Sequence, residues 1–153
     1  MSGRVVSIHI TPKAGEPMQS LAEVLAAPGR GLAGDRYYLK QGSYSDTPGG
    51  GRELTLIESE ALDNLEAEKG IQLDPSASRR NIVTRGVRLN DLVGKEFRIG
   101  AVRLRGVRLC DPCSYLEGIT QPGVLAGLVN RGGLRAEILS EEVIRVGDEV
   151  AVE

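Results

Sequence analysis

Short stretches of alternating apolar residues recur along this chain, and glycine or proline closes most of them. That punctuation constrains the fold more than any other feature of the sequence. Val5, Ser7 and His9 alternate with Val6, Ile8 and Ile10, so a first strand begins almost at the N-terminus and ends before Pro12, Gly15 and Pro17. A second short strand is expected over residues 21–26, before Pro28 and Gly29, and a third over 53–57. Residues 89–94 read as a turn into two strands, 96–99 and 102–109, with Gly100 marking a hairpin. Residues 136–139 and 143–152 read as closing strands, with Gly147 and Asp148 at the turn.

Only residues 58–69 carry clear helical spacing, through Ala61, Leu62 and Leu65, with Gly70 as the stop. The acidic side of that helix (Glu58, Glu60, Asp63, Glu66, Glu68) is expected simply to face water. A second short helix is expected over 121–130, and glycine-rich loops over 29–36, 42–51 and 131–135. Many short strands with few helices predict a mostly β chain, a barrel with a few short helices. No linker, repeat or low-complexity tract divides it, so residues 1–153 are expected to form a single domain.

Composition narrows the function classes. Aromatic residues make up 3% and tryptophan is absent, which leaves no stacking platform for nucleic-acid bases; the net charge of −2 points the same way. No segment has the length and apolarity of a membrane span or a secretory core, so neither nucleic acid nor membrane is expected as a partner. Two cysteines in such a chain do not make a disulfide framework, and a cytoplasmic setting with reduced thiols is expected.

Those two cysteines form Cys110-Asp-Pro-Cys113. Between residues 79 and 108 stand Arg79, Arg80, Arg85, Arg88, Lys95, Arg98, Arg103, Arg105 and Arg108 against only Asp91 and Glu96, a local excess of seven positive charges. Cations near a thiol favour the thiolate, the form that attacks electrophiles and binds metals. Three readings of the pair are open besides two buried core cysteines. Zinc lacks further ligands, because His9 is the only histidine. A thioredoxin-like redox pair lacks its βαβ setting. A single working thiol with a neighbour fits the cationic surroundings. Of the 19 basic residues only Lys13, Lys40, Lys69 and Lys95 are lysines, and arginine is the better bidentate partner for phosphate or carboxylate. The arginines in the loops at Gly34-Asp35-Arg36 and Arg131-Gly132-Gly133 could line anion-binding nests.

Four segments in succession resemble the MOSC domain, the C-terminal module of molybdenum cofactor sulfurases. They are residues 31–36 (Gly-Leu-Ala-Gly-Asp-Arg), 79–86 (Arg-Arg-Asn-Ile-Val-Thr-Arg-Gly), 92–100 with the strand leading to Cys113, and 132–136 with 146–148. The resemblance implies a MOSC-type β-barrel and a site for the molybdenum cofactor (molybdopterin) or a related sulfur-bearing species. It implies that Cys113 accepts sulfur or ligates molybdenum, and that Arg79, Arg80, Asn81 and Arg36 hold the anionic cofactor. Cys110 is then a candidate resolving thiol, and a separate cysteine desulfurase a candidate sulfur donor. The pyridoxal-phosphate desulfurase domain of full-length sulfurases has no room within 153 residues, and none of the four lysines is marked as a Schiff-base partner. Two alternatives stand beside the sulfur carrier: a small molybdenum-dependent oxidoreductase acting on N-oxygenated compounds, and a binding module without turnover.

Overall fold

The computed structural model describes residues 2–11, 18–35, 53–72, 80–109 and 133–152. Seven strands close into a barrel: β1 (Ser2–Ile10), β5 (Leu54–Glu58), β6 (Ile82–Arg85), β7 (Glu96–Ile99), β8 (Val102–Leu109), β9 (Leu134–Ile138) and β11 (Glu149–Val152). Around the wall they run β11-β7-β8-β9-β5-β6-β1, and β1 pairs back onto β11 to complete the ring. All neighbours are antiparallel except β5 and β6, which the helix α1 (Ser59–Lys69) connects. A right-handed strand–helix–strand crossover is the usual solution for such a parallel pair.

Strand β1 serves both sides of the closure. Its first residues pair with β11, and its last three pair with β2 (Gln19–Leu21). Against β6 it carries a bulge at Val6: Val5 and Ile8 are both buried while Val6 is 38% exposed. The strict alternation expected from the sequence is thus broken by one inserted residue, which shifts the pleat by one. Outside the barrel, β3 (Glu23–Ala27), β4 (Gly31–Leu32) and β10 (Glu142–Arg145) form a separate three-stranded sheet. The turn at Gly147-Asp148 therefore carries the chain from that sheet back to the barrel; the two closing strands are not a hairpin.

Barrel packing follows the alternation. Val5, Ile8, Leu54, Leu56, Ile82, Phe97, Ile99, Leu104, Leu134 and Val150 are buried in one cluster. A second, smaller cluster lies under the helix, where Ala61, Leu62, Leu65 and Ile71 cover Ile57 and Val83. Strands β5 and β6 are therefore buried on both faces, and residues 54–57 of β5 are buried without a break. The helix stops at Gly70, whose φ of 67° is the left-handed turn that closes a helix most readily when no Cβ is present.

The acidic side of α1 differs from the expectation of a purely solvated face. Glu60 accepts the Gly86 N–H at 2.9 Å, Asp63 pairs with Arg85 at 2.7 Å, and Glu58 accepts the Leu89 N–H at 3.3 Å. These three carboxylates fasten the helix to the chain that leaves β6, where backbone donors outside the ladder need partners.

Candidate functional site

Strands β5 and β6 begin, and β1 finishes, at one end of the barrel, and the buried polar side chains gather there. His9, Thr11, Asp35, Thr55, Arg80 and Asn81 are all less than 9% exposed. Asp35 follows β4; its Oδ1 accepts the Thr11 N–H at 3.0 Å. Asn81, immediately before β6, exchanges backbone bonds with both flanking strands: His9 N–H donates to its carbonyl at 2.7 Å, and its own N–H donates to the Thr55 carbonyl at 3.1 Å. The end of β1 thus ties the 31–36 motif, through Asp35, to the 79–86 motif, through Asn81.

The Asn81 side chain is largely used within the wall. Its Oδ1 accepts the Thr55 N–H at 3.0 Å and the Thr55 hydroxyl at 3.3 Å, and its Nδ2 donates to the His9 carbonyl at 3.0 Å. One amide hydrogen is left for any ligand. His9 is held in turn by Ser7 Oγ at 2.8 Å and Ser20 Oγ at 3.0 Å, one on each ring nitrogen, and the Ser20 bond joins β2 to β1.

Arg80 is 8% exposed and is the one buried cation among the described residues. It lies two residues before Ile82, the first residue of β6, and next to the buried Asn81. The remaining charge of residues 79–108 is distributed differently from what its density in sequence suggests. Arg98, Arg103 and Arg105 alternate onto the outer wall. Arg103 reaches Glu96 at 2.8 Å, and Arg105 reaches Glu137 at 3.1 Å and Glu96 at 3.6 Å. Arg85 and Arg88 are paired with Asp63 and Asp91. Four of the nine cations, Arg85, Arg88, Arg103 and Arg105, are therefore held in exterior ion pairs, and the stretch does not make one cationic basin.

Cys110, Cys113, Arg79 and Arg36 lie outside the described residues, as do the short helix expected over 121–130 and the loop over 42–51. The roots of the cysteine segment are described. Leu109 pairs with Leu134, Leu134 with Leu56, and Leu56 with Ile82, so one ladder row crosses β8, β9, β5 and β6. At about 4.8 Å per strand, Leu109 stands about 14 Å and Leu134 about 10 Å along the wall from Ile82. Gly133 enters that row at φ 112°, and a Cβ there would overlap the Leu56 carbonyl. Only glycine lets the chain return so close to β5.

The MOSC domain profile matches residues 15–151, nearly the whole chain. The chain belongs to the MOSC domain family. The family is one linked to molybdenum cofactor binding. Solved structures share the fold of this MOSC domain at low identity. YuaD from Bacillus subtilis superposes with a TM-score of 0.79 at 17% identity, over 99% of this chain and 96% of that one. YiiM from Geobacillus stearothermophilus gives 0.75 at 17%, over 99% and 75%, and YiiM from Escherichia coli 0.69 at 17%, over 98% and 69%. No curated protein matches the chain in sequence.

Within the MOSC domain, the motifs indicated Arg80 and Asn81, whereas Asp35, Thr11 and Thr55 enter the polar cluster without having been singled out. Asp35 carried a signal, an acid beside Arg36 in a glycine loop; Thr55 sits in an ordinary alternating strand and carried none. Among the described residues no group of three or more His, Cys, Asp or Glu side chains is placed to hold a metal ion. Nor is any helix among them long and apolar enough to cross a membrane.

Proposed function

We propose that this MOSC domain binds an anionic, sulfur-bearing cofactor of the molybdopterin type and that Cys113 is its working thiol. Arg80, with Arg79 and Arg36, holds the anion; Cys113 accepts sulfur or ligates molybdenum; Cys110 resolves Cys113 through a transient disulfide. The burial of Arg80 carries the reading. A guanidinium kept from water at the end of a barrel, in the stretch that the resemblance assigns to the cofactor, presents a fork of donors that matches phosphate oxygens. When bound, the cofactor supplies a phosphate for such a fork and a soft dithiolene-held metal, for which a cysteine thiolate is the fitting protein ligand.

Chain length is compatible with this division of labour. Cys113 is four residue steps beyond Leu109, which can span at most about 14 Å, comparable to the distance from Leu109 along the wall to β6. In the sulfur-accepting reaction the Cys113 thiolate attacks the terminal sulfur of a donor persulfide, and the donor cysteine departs as a thiolate. A separate cysteine desulfurase is the fitting donor.

Intact-mass measurement after incubation with a cysteine desulfurase and cysteine tests this assignment. The native protein and Cys110→Ser gain one sulfur atom that reductant removes, and Cys113→Ser gains none. Equal sulfur uptake by Cys113→Ser would refute the role of that thiol. Elemental analysis for molybdenum of the same proteins, purified from a cofactor-competent host, separates metal ligation from sulfur acceptance.

A further inference from the structure

We infer that Arg108 and Arg135 form a second anion site, on the outer wall of the barrel, that takes a small multiply charged oxyanion such as phosphate. The two are direct cross-strand partners in the β8–β9 ladder and so project from the same face. Arg135 is half-buried and Arg108 exposed. Like charges placed directly opposite each other in an antiparallel pair repel.

Two other arginine pairs of the same kind occur among the described residues, and each has an acid at hand. Arg98 opposes Arg103, which is bound by Glu96 at 2.8 Å. Arg4 opposes Arg85, which is bound by Asp63 at 2.7 Å. Farther along β8 and β9 themselves, Arg105 opposes Glu137 and pairs with it at 3.1 Å. Among the described residues, only at Arg108 and Arg135 do two arginines stand directly opposite each other with no carboxylate paired to either.

Position gives the pair a use. Arg108 immediately precedes Leu109, where the segment carrying both cysteines leaves the wall, and Arg135 directly follows Leu134, where that segment has returned. An anion bridging the two arginines would lock both roots of the segment and relieve the repulsion. Two guanidinium forks converging from adjacent strands offer bidentate donors to a tetrahedral oxyanion better than to a halide. This site is built on β8 and β9, whereas Arg80 precedes β6, so it does not depend on the cofactor reading.

Thermal unfolding at constant ionic strength, with sodium phosphate exchanged for sodium chloride, tests the inference. The native protein gains about 3 °C or more once phosphate exceeds its Kd tenfold. Arg108→Gln and Arg135→Gln each melt higher than the native protein in phosphate-free buffer, because one side of the repulsion is gone, and both lose the phosphate gain. Arg80→Gln keeps the gain, which separates this site from the one at the barrel end. In the native protein phosphate also shifts the Nε–H resonances of Arg108 and Arg135, leaving that of Arg103 in place. The inference is overturned if phosphate and chloride give the same melting temperature, if the gain survives in the Arg108→Gln/Arg135→Gln double variant, or if both single variants melt lower without phosphate.

Discussion

Glu53 uses one carboxylate oxygen to accept two backbone donors, Gly29 N–H at 2.9 Å and Ile138 N–H at 3.1 Å, and so ties the turn after β3 to the end of β9. Partial burial raises its pKa; the two N–H donors pull it down, and the Glu137 charge pushes it up. Burial likewise raises Glu58, against the Leu89 N–H and with help from the Glu60 charge. The folded chain therefore holds both protons more tightly than the unfolded chain. That contribution to stability is complete below the ordinary carboxylate range and is lost as pH rises through the raised values. Glutamine at position 53 keeps the accepting oxygen and removes the charge. Glu53→Gln should melt at the same temperature as the native protein or slightly higher at pH 7, and should lessen the loss of stability as pH rises through the carboxylate range. A lower melting temperature at pH 7 with an unchanged pH profile would show that the charge itself is needed. Asn81 makes a related point. Its motif groups it with the arginines as a residue that holds the anion, while its hydrogen bonds give it a task within the wall that residue spacing does not display.

At the scale of elements, β5, α1 and the β7–β8 hairpin were legible because each rests on a local rule: alternation, a helical apolar stripe with a glycine stop, or a glycine at the tip. What escaped the sequence was long-range. The bulge in β1 lies in its ladder with β6, and nothing at Val6 announces it. The carboxylates of α1 look solvated until β6 is placed beside them. The arginines of β8 look like a basin around a thiol until the strand period sends them outward to Glu96 and Glu137. Burial of the helix stripe gives a direct test. Leu65 is fully buried between α1 and the outer faces of β5 and β6, so Leu65→Ala should cost about 2–4 kcal/mol, against a few tenths for Glu68→Ala on the exposed side. Chemical denaturation measures both; a cost below about 1 kcal/mol for Leu65→Ala would mean that the helix is not held through this cluster.

Taken as a whole, the molecule is a closed barrel in which segments far apart in sequence meet at shared strands. The end of β1 joins the Gly31–Asp35 and Arg80–Asn81 stretches, and a single ladder row joins β6 to both roots of the cysteine segment. The order of the motifs made the family recognisable from sequence; their convergence on one strand required the fold. On the proposed reading the buried Arg80, with Arg79 and Arg36, and not the dense exterior lattice, receives the cofactor's anion. Retention of freshly released molybdenum cofactor by the desalted protein, read as pterin fluorescence after oxidation, tests that claim most directly. Arg80→Gln should lose at least tenfold in affinity, as expected for the loss of a charge-assisted bidentate contact, while Arg103→Gln should bind like the native protein. Equal retention by Arg80→Gln and the native protein, or an equal loss in Arg103→Gln, would contradict it.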